Sequence, residues 1–169
     1  EAETVLVTGA GPIGLLAALL AKLNGKQVHV LDRVEAGTKP DLVRALGATY
    51  HSGSLLDVGF DPDVIVECTG VGSVLADAVR KIGAGGILCL TGVGGGGHPA
   101  SYTVADIAAK MVLNNNVLVG SVNANKRHWY KAAQALAEAD RAWLGRLITR
   151  REKPERFQQA LQRTPDDIK

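Results

Sequence analysis

The chain has 169 residues, 46% of them hydrophobic and only 4% aromatic, and 19 basic against 17 acidic side chains leave a net charge of +2. That is the size of one domain with a sizeable aliphatic core, and the charge balance argues against nucleic acid or an anionic membrane surface as a partner. The two cysteines, Cys68 and Cys89, form no C-x-x-C pair, so neither a zinc ribbon nor a disulfide framework is suggested and reduced thiols in a cytoplasmic protein are the expectation.

Strand and helix patterns alternate along the chain. Thr4–Thr8 (TVLVT) reads as a buried strand, and Pro12–Leu23 as a helix with proline in its first turn. The apolar run Ile13–Leu23 is broken by Lys22, is too short to cross a bilayer and lacks a basic leader. Gln27–Leu31 is a second strand. Pro40–Leu46 is a short helix closed by Gly47, and Thr49–Ser52 a short third strand. Val64–Glu67 is a strand before a helix from about Ser73 to Ile82, and Gly86–Leu90 is the next strand. A loose glycine segment follows, with Gly94 to Gly97 read as a loop. Thr103 caps a helix through Leu113. Val117–Val122 is a strand, Arg127–Ala139 a helix, Leu147–Arg151 an edge strand and Pro154–Gln162 a terminal helix. Trp129, Tyr130, Trp143 and Phe157 are expected to anchor the last helices, and Cys68 and Cys89 to be small buried residues. Apolar strands alternating with helices predict one doubly wound α/β domain over residues 1–169, a three-layer Rossmann-type sheet.

"VTGAGPIGLLAALLAKLNG" carries the sharpest signal. Gly9, Gly11 and Gly14 form G-x-G-x-x-G between a strand and a helix. Gly9 permits the tight turn, Gly11 lets a pyrophosphate approach the backbone, and Gly14 lets the helix pack close to the sheet. The helix N-terminus adds free N–H groups and partial positive charge. Pro12, Ile13 and Leu15 are counted with the turn as cofactor-facing. Asp32 follows Gly14 by 18 positions, close to the spacing of ~20 that places a carboxylate on the ribose hydroxyls. Arg33 beside it suits a 2′-phosphate or the adenine face. A bare strand-to-helix turn, an S-adenosylmethionine enzyme and a nucleotide-sensing regulatory domain share parts of this pattern, so function rests on the remaining strand ends.

Four segments, "VLVTGAGPIGLLAALLAKLNG", "DVIVECTG", "GGILCLTGV" and "VLVGSVNANKRHW", resemble the cofactor domain of medium-chain dehydrogenase/reductases. "SVNANKRHW" is similar to the zinc-dependent glucose dehydrogenases in particular. The resemblance implies hydride transfer from the C1 hydroxyl of an aldose to a nicotinamide, with zinc held by a GroES-like catalytic domain of a longer, homo-oligomeric parent. Nothing in this chain matches the family's zinc motifs. It is therefore expected to be an excised cofactor domain that binds the dinucleotide, holds no metal, carries no catalytic residue and is inactive alone. Alcohol, threonine or polyol dehydrogenases and quinone reductases stay open as other branches.

The resemblance also assigns strand ends. Thr69 and Gly70 would line the adenosine side, against a plain turn capped by Ser73. Thr91, Gly92 and Val93 would run beside the nicotinamide, as would Ser121, Val122 and Asn123. The Asn123 amide would also reach a sugar hydroxyl, against Asn as a turn former. Lys169 would reach the adenosine ribose phosphate. His128 opens a helix and is read as solvated; His29, His51 and His98 are scattered, with no i, i+4 pair. Asp32 repels a 2′-phosphate, which makes NAD the expected cofactor, with NADP tolerated through Arg33.

Overall fold

The computed structural model describes residues 2–94, 103–162 and 167–168. In chain order the elements are β1 Thr4–Thr8, α1 Pro12–Leu23, β2 Gln27–Leu31, α2 Thr38–Ala45, β3 Thr49–His51, β4 Val64–Glu67, α3 Gly72–Lys81, β5 Ile87–Leu90, α4 Val104–Leu113, β6 Val117–Gly120, α5 Lys126–Glu138, α6 Arg141–Arg146 and α7 Phe157–Ala160. Short 3₁₀ turns lie at Leu55–Asp57 and Pro154–Arg156. The strands form one six-stranded sheet in the order β3-β2-β1-β4-β5-β6, and every pairing is parallel. This is the doubly wound Rossmann order. It reverses direction between β1 and β4, so a crevice opens at the carboxyl ends of those strands.

Alternation along the strands builds two cores. Val5, Val7, Val28 and Val30 pack under α1 and α2 together with Leu15, Leu42, Trp143 and Ile168. Leu6, Leu31, Ile65 and Leu88 face the other way, against Leu55, Val79 and Ile82, with Ile107 and Met111 of α4 at the margin. Strands buried on both faces read as continuous apolar runs, which is why they were visible in the sequence.

Helix ends follow local chemistry. Thr103 and Asp106 form a reciprocal capping box at α4. Helix α2 starts at Thr38, ahead of the expected Pro40, because a proline in the first turn gives up only an N–H that has no helical partner. Helix α3 starts at Gly72 with Val71 in the cap position, so Ser73 does not cap it. Strand β6 stops at Gly120, two residues before Val122.

The C-terminal region departs most from expectation. Leu147–Arg151 is not a strand; Leu147 is buried in the first core at the end of α6, which the Asp140 carboxylate caps by accepting from the Ala142 amide at 2.8 Å. The terminal helix divides into the 3₁₀ turn and α7. Of the four aromatics, only Trp143 anchors the fold. It is 4% exposed and donates its indole N–H to the Leu42 carbonyl at 2.8 Å. Trp129, Tyr130 and Phe157 are exposed, because α5 and α7 bury none of their residues. Cys68 and Cys89 are half-buried free thiols; burial pushes Cys68 up to about 11 and also raises Cys89.

Candidate functional site

The glycine turn leaves β1 with Gly9 at φ +91°, and its amide donates to the Leu31 carbonyl at 2.7 Å. A side chain on Gly9 would meet Thr69 Cγ2 at 3.1 Å. Gly14 is packed tighter still: a Cβ there would lie 1.8 Å from the Gly9 carbonyl oxygen. Gly11 is different. It is the N-cap of α1, and nothing lies within 4 Å of the position its Cβ would take. Two glycines are thus required by the chain's own packing, while Gly11 keeps open the ground in front of the helix N-terminus. Pro12 is the first residue of α1, and Ile13 is exposed. Leu15 corrects the sequence reading. Its side chain is fully buried in the first core, and its amide is used within the helix toward the Gly11 carbonyl, so it offers a ligand no surface.

Asp32 follows β2 and reaches back to this turn. Its Oδ2 accepts from the Ala10 amide at 2.7 Å and from Lys39 Nζ at 3.1 Å, and its Oδ1 accepts from the Arg33 amide at 2.7 Å. Burial pushes the carboxyl up, but the Ala10 amide and then Lys39 outweigh it and hold the group below its ordinary value. Asp32 is therefore a pre-positioned carboxylate. Arg33 is exposed beside it. Lys39, in the first turn of α2, was missed from sequence. The available signal was a lysine at the start of the helix that follows the acid.

The β4 and β5 ends meet through glycine. Gly70 has φ +67°, and a Cβ on it would come within 2.4 Å of the Gly94 amide nitrogen; one on Gly92 would come within 2.2 Å of the Gly70 nitrogen. The Thr69 hydroxyl and amide are both directed at the Glu67 carboxylate. Glu67 is the second omission. It is 1% exposed, and an acid ending an otherwise apolar strand, "VIVE", was a readable sign of a buried, satisfied carboxylate. Val93 is exposed. Gly95 to Gly97 and His98 lie outside the described residues.

Beyond β6, Ser121, Val122 and Asn123 are exposed, and the Ser121 amide donates to the Leu90 carbonyl at 2.9 Å. A groove of about 1030 Å³ between α1 and α5 is lined in part by Ile13, Thr91, Ser121, Val122, Asn123 and His128. The structure thus gathers five of the expected site residues into one groove. The glycine turn and Asp32 stand together at the neighbouring crevice. Lys169 lies outside the described residues.

Two histidines expected to be scattered instead touch. His29 Nδ1 and His51 Nε2 are 2.8 Å apart, and the His29 ring packs against Phe60 with centroids 4.2 Å apart. Parallel pairing of β2 with β3 brings them together across 22 residues of sequence. Among the described residues, no three His, Cys, Asp or Glu side chains are grouped so as to hold a metal ion.

Comparison with known proteins places this geometry. The family model described as glucose dehydrogenase C-terminus matches residues 1–169. Glucose 1-dehydrogenase 1 of Caldivirga maquilingensis is 38% identical over 99% of this chain and 49% of its own length. Glucose 1-dehydrogenase 2 of Vulcanisaeta moutnovskia is 36% identical with the same coverage. Glucose dehydrogenase of Haloferax mediterranei, solved with NADP, Zn and gluconolactone, superposes with a TM-score of 0.88 at 25% identity, over 99% of this chain and 49% of that one. The chain spans about half the length of these relatives. Its sequence, its sheet order and its glycine turn agree: the chain belongs to the glucose dehydrogenase C-terminal family.

Proposed function

We propose that this chain is the nicotinamide-dinucleotide-binding part, excised from a longer dehydrogenase that oxidises the C1 hydroxyl of glucose or a related aldose. The observation that carries the reading is the 2.7 Å contact between the Asp32 carboxylate and the Ala10 amide, which sets an acid against an open glycine turn at the switch point of the sheet. The match along the whole chain to the C-terminal part of glucose dehydrogenases supports the same conclusion.

In this proposal Gly9, Gly11, Pro12, Ile13 and Gly14 surround the pyrophosphate, with the free amides of α1 as donors. Asp32 accepts from the ribose hydroxyls. Thr69 and Gly70 back the adenosine side by packing rather than as donors, because the Thr69 hydroxyl and both amides already donate to Glu67. Thr91, Gly92, Val93, Ser121 and Val122 border the nicotinamide, and Asn123 stands where its amide meets both nicotinamide and sugar. Lys169 is retained as a contact to the ribose phosphate. The bound dinucleotide would supply the hydride acceptor; the chain supplies position and electrostatics.

Among the described residues no ligand group forms that fits zinc. In this proposal zinc belongs to the part of the longer protein outside this chain, and no step is derived through it. NAD is the preferred cofactor because Asp32 repels a 2′-phosphate. Lys39 adds a reason for tolerating NADP: its ammonium already partners Asp32 and sits within reach of a phosphate brought to that carboxylate. Strand β6 leaves one edge unpaired among the described strands, with Val117 and Val119 exposed, which supports a homo-oligomeric parent. No helix among the described residues is long and apolar enough to cross a membrane; a cytoplasmic setting belongs to the same proposal. The test is direct. Calorimetric titration of the chain with NADH should show saturable binding, while incubation with glucose and NAD should give no NADH. Turnover of glucose by this chain alone contradicts the assignment of the chemistry to another domain.

A further inference from the structure

We propose that Glu67 is a positioning residue that sets the width of the dinucleotide crevice, a role that rests on the dinucleotide reading above. Glu67 ends β4, lies opposite Thr8 at the end of β1, and is 1% exposed. Its Oε1 accepts from the Thr8 hydroxyl at 3.3 Å, the Thr69 amide at 2.7 Å and the Gly70 amide at 3.2 Å, and also from the Thr69 hydroxyl. Its Oε2 accepts from the Gly70 amide at 3.1 Å. Its main-chain carbonyl accepts from the Thr91 amide at 2.8 Å, the Gly92 amide at 3.0 Å and the Thr91 hydroxyl at 2.9 Å. One residue thereby joins the carboxyl ends of β1, β4 and β5.

The geometry gives this junction a purpose beyond satisfying donors. The carboxylate folds the Thr69–Gly70 turn back over the strand end. There Thr69 touches the Gly9 position on one side, and Gly70 touches the Gly92 and Gly94 backbone on the other. The turn is the spacer between the two rims of the crevice. The β1–β2 rim has its own ties, from Gly9 to the Leu31 carbonyl and from Ala10 to Asp32. The β4–β5 rim is held to it by the backbone pairing of β1 with β4, which ends in the Cys68 amide donating to the Thr8 carbonyl at 3.0 Å, and beyond the strand ends by the Glu67 side chain. A dinucleotide spans both halves of such a sheet, whereas a mononucleotide occupies one. Loss of the carboxylate should therefore weaken the dinucleotide more than the mononucleotide, which meets the Thr69–Gly70 turn but not the β5 rim beyond it.

The experiment titrates wild type, Glu67→Leu and Glu67→Gln with NADH and with ADP, each protein checked for native circular dichroism. Glu67→Leu removes every side-chain acceptor and should weaken NADH about tenfold or more, while ADP changes by less than about threefold, the scale of losing hydrogen bonds to a buried charge. Glu67→Gln keeps an acceptor at Oε1 and should restore NADH to within about threefold of wild type. Should Glu67→Leu not fold, Thr8→Val removes the Thr8 hydroxyl's bond to Glu67 at nearly constant volume while leaving the backbone pairing of β1 with β4, and the NADH-to-ADP affinity ratio should still fall. A uniform fall for both ligands, as from general loosening, overturns the proposal, and so does an unchanged ratio in the variants that fold. Failure of wild type to bind NADH would instead overturn the dinucleotide reading itself.

Discussion

The two flanks of the sheet use the same residue types for opposite purposes. On the β1–β2–β3 flank, apolar residues are enclosed beneath α1 and α2, and charge is paired, with Asp32 held by the Ala10 amide and Lys39. On the β5–β6 flank, all four residues of β6 and every one of the aromatic residues of α5 are exposed, and α5 buries nothing. The two tryptophans make the contrast concrete: Trp143 is 4% exposed and Trp129 69%. The first flank is closed and internally paired. The second presents the groove between α1 and α5, with Asn123 and His128 on its wall.

The largest expected effect breaks the enclosed flank. Trp143→Ala removes a buried ring and its hydrogen bond to Leu42, and should cost about 3–5 kcal/mol in urea unfolding. A loss under about 1 kcal/mol would mean that α6 does not hold α2 in solution.

Next in size is the charge at the cofactor edge. Asp32→Asn should shift relative affinity toward NADPH over NADH by about 1–3 kcal/mol, read from paired fluorescence titrations. Lys39 then has no carboxylate partner, so Lys39→Met in the same background should return part of that gain. An unchanged NADH-to-NADPH ratio in Asp32→Asn would show that the acid does not face the ribose.

A smaller effect should follow acidification. Burial holds both His29 and His51 below the ordinary histidine value of 6.5, and for His29 the neighbouring ring adds to this. The folded pair resists protons that the unfolded chain accepts, so its contribution to stability is present above pH 6.5 and is lost as pH falls through the folded values. Urea midpoints should therefore drop between about pH 7.5 and about pH 5.5, above the range where carboxylates titrate. A His29→Gln/His51→Gln double variant should flatten that slope. The smallest effect closes the comparison: Trp129→Ala, on the open flank, should change stability by no more than about 0.5 kcal/mol.

Much of the fold was legible because parallel strands buried on both faces leave apolar runs, and the glycine turn leaves a fixed spacing before its acid. The strands Thr4–Thr8, Gln27–Leu31 and Val64–Glu67 and the helix Pro12–Leu23 stand where the pattern put them. The Leu147–Arg151 segment did not follow, because burial of Leu147 comes from packing after a short helix rather than from strand pairing. The site was legible at the level of loops and less so at the level of side chains. Leu15 sits beside the motif in sequence but inside the core in space. The Thr8–Glu67 and His29–His51 contacts depend on pairings between distant segments, which spacing along the chain does not encode, whereas Lys39 lies only seven residues from Asp32 and was open to reading.

In the proposed function the glycine turn and Asp32 together hold a nicotinamide dinucleotide. Titration of the wild-type chain with NADH and NADPH, followed by the nicotinamide fluorescence, tests this most directly. Saturable binding of both with NADH the tighter ligand is the predicted result; absence of binding by either at millimolar concentration contradicts it.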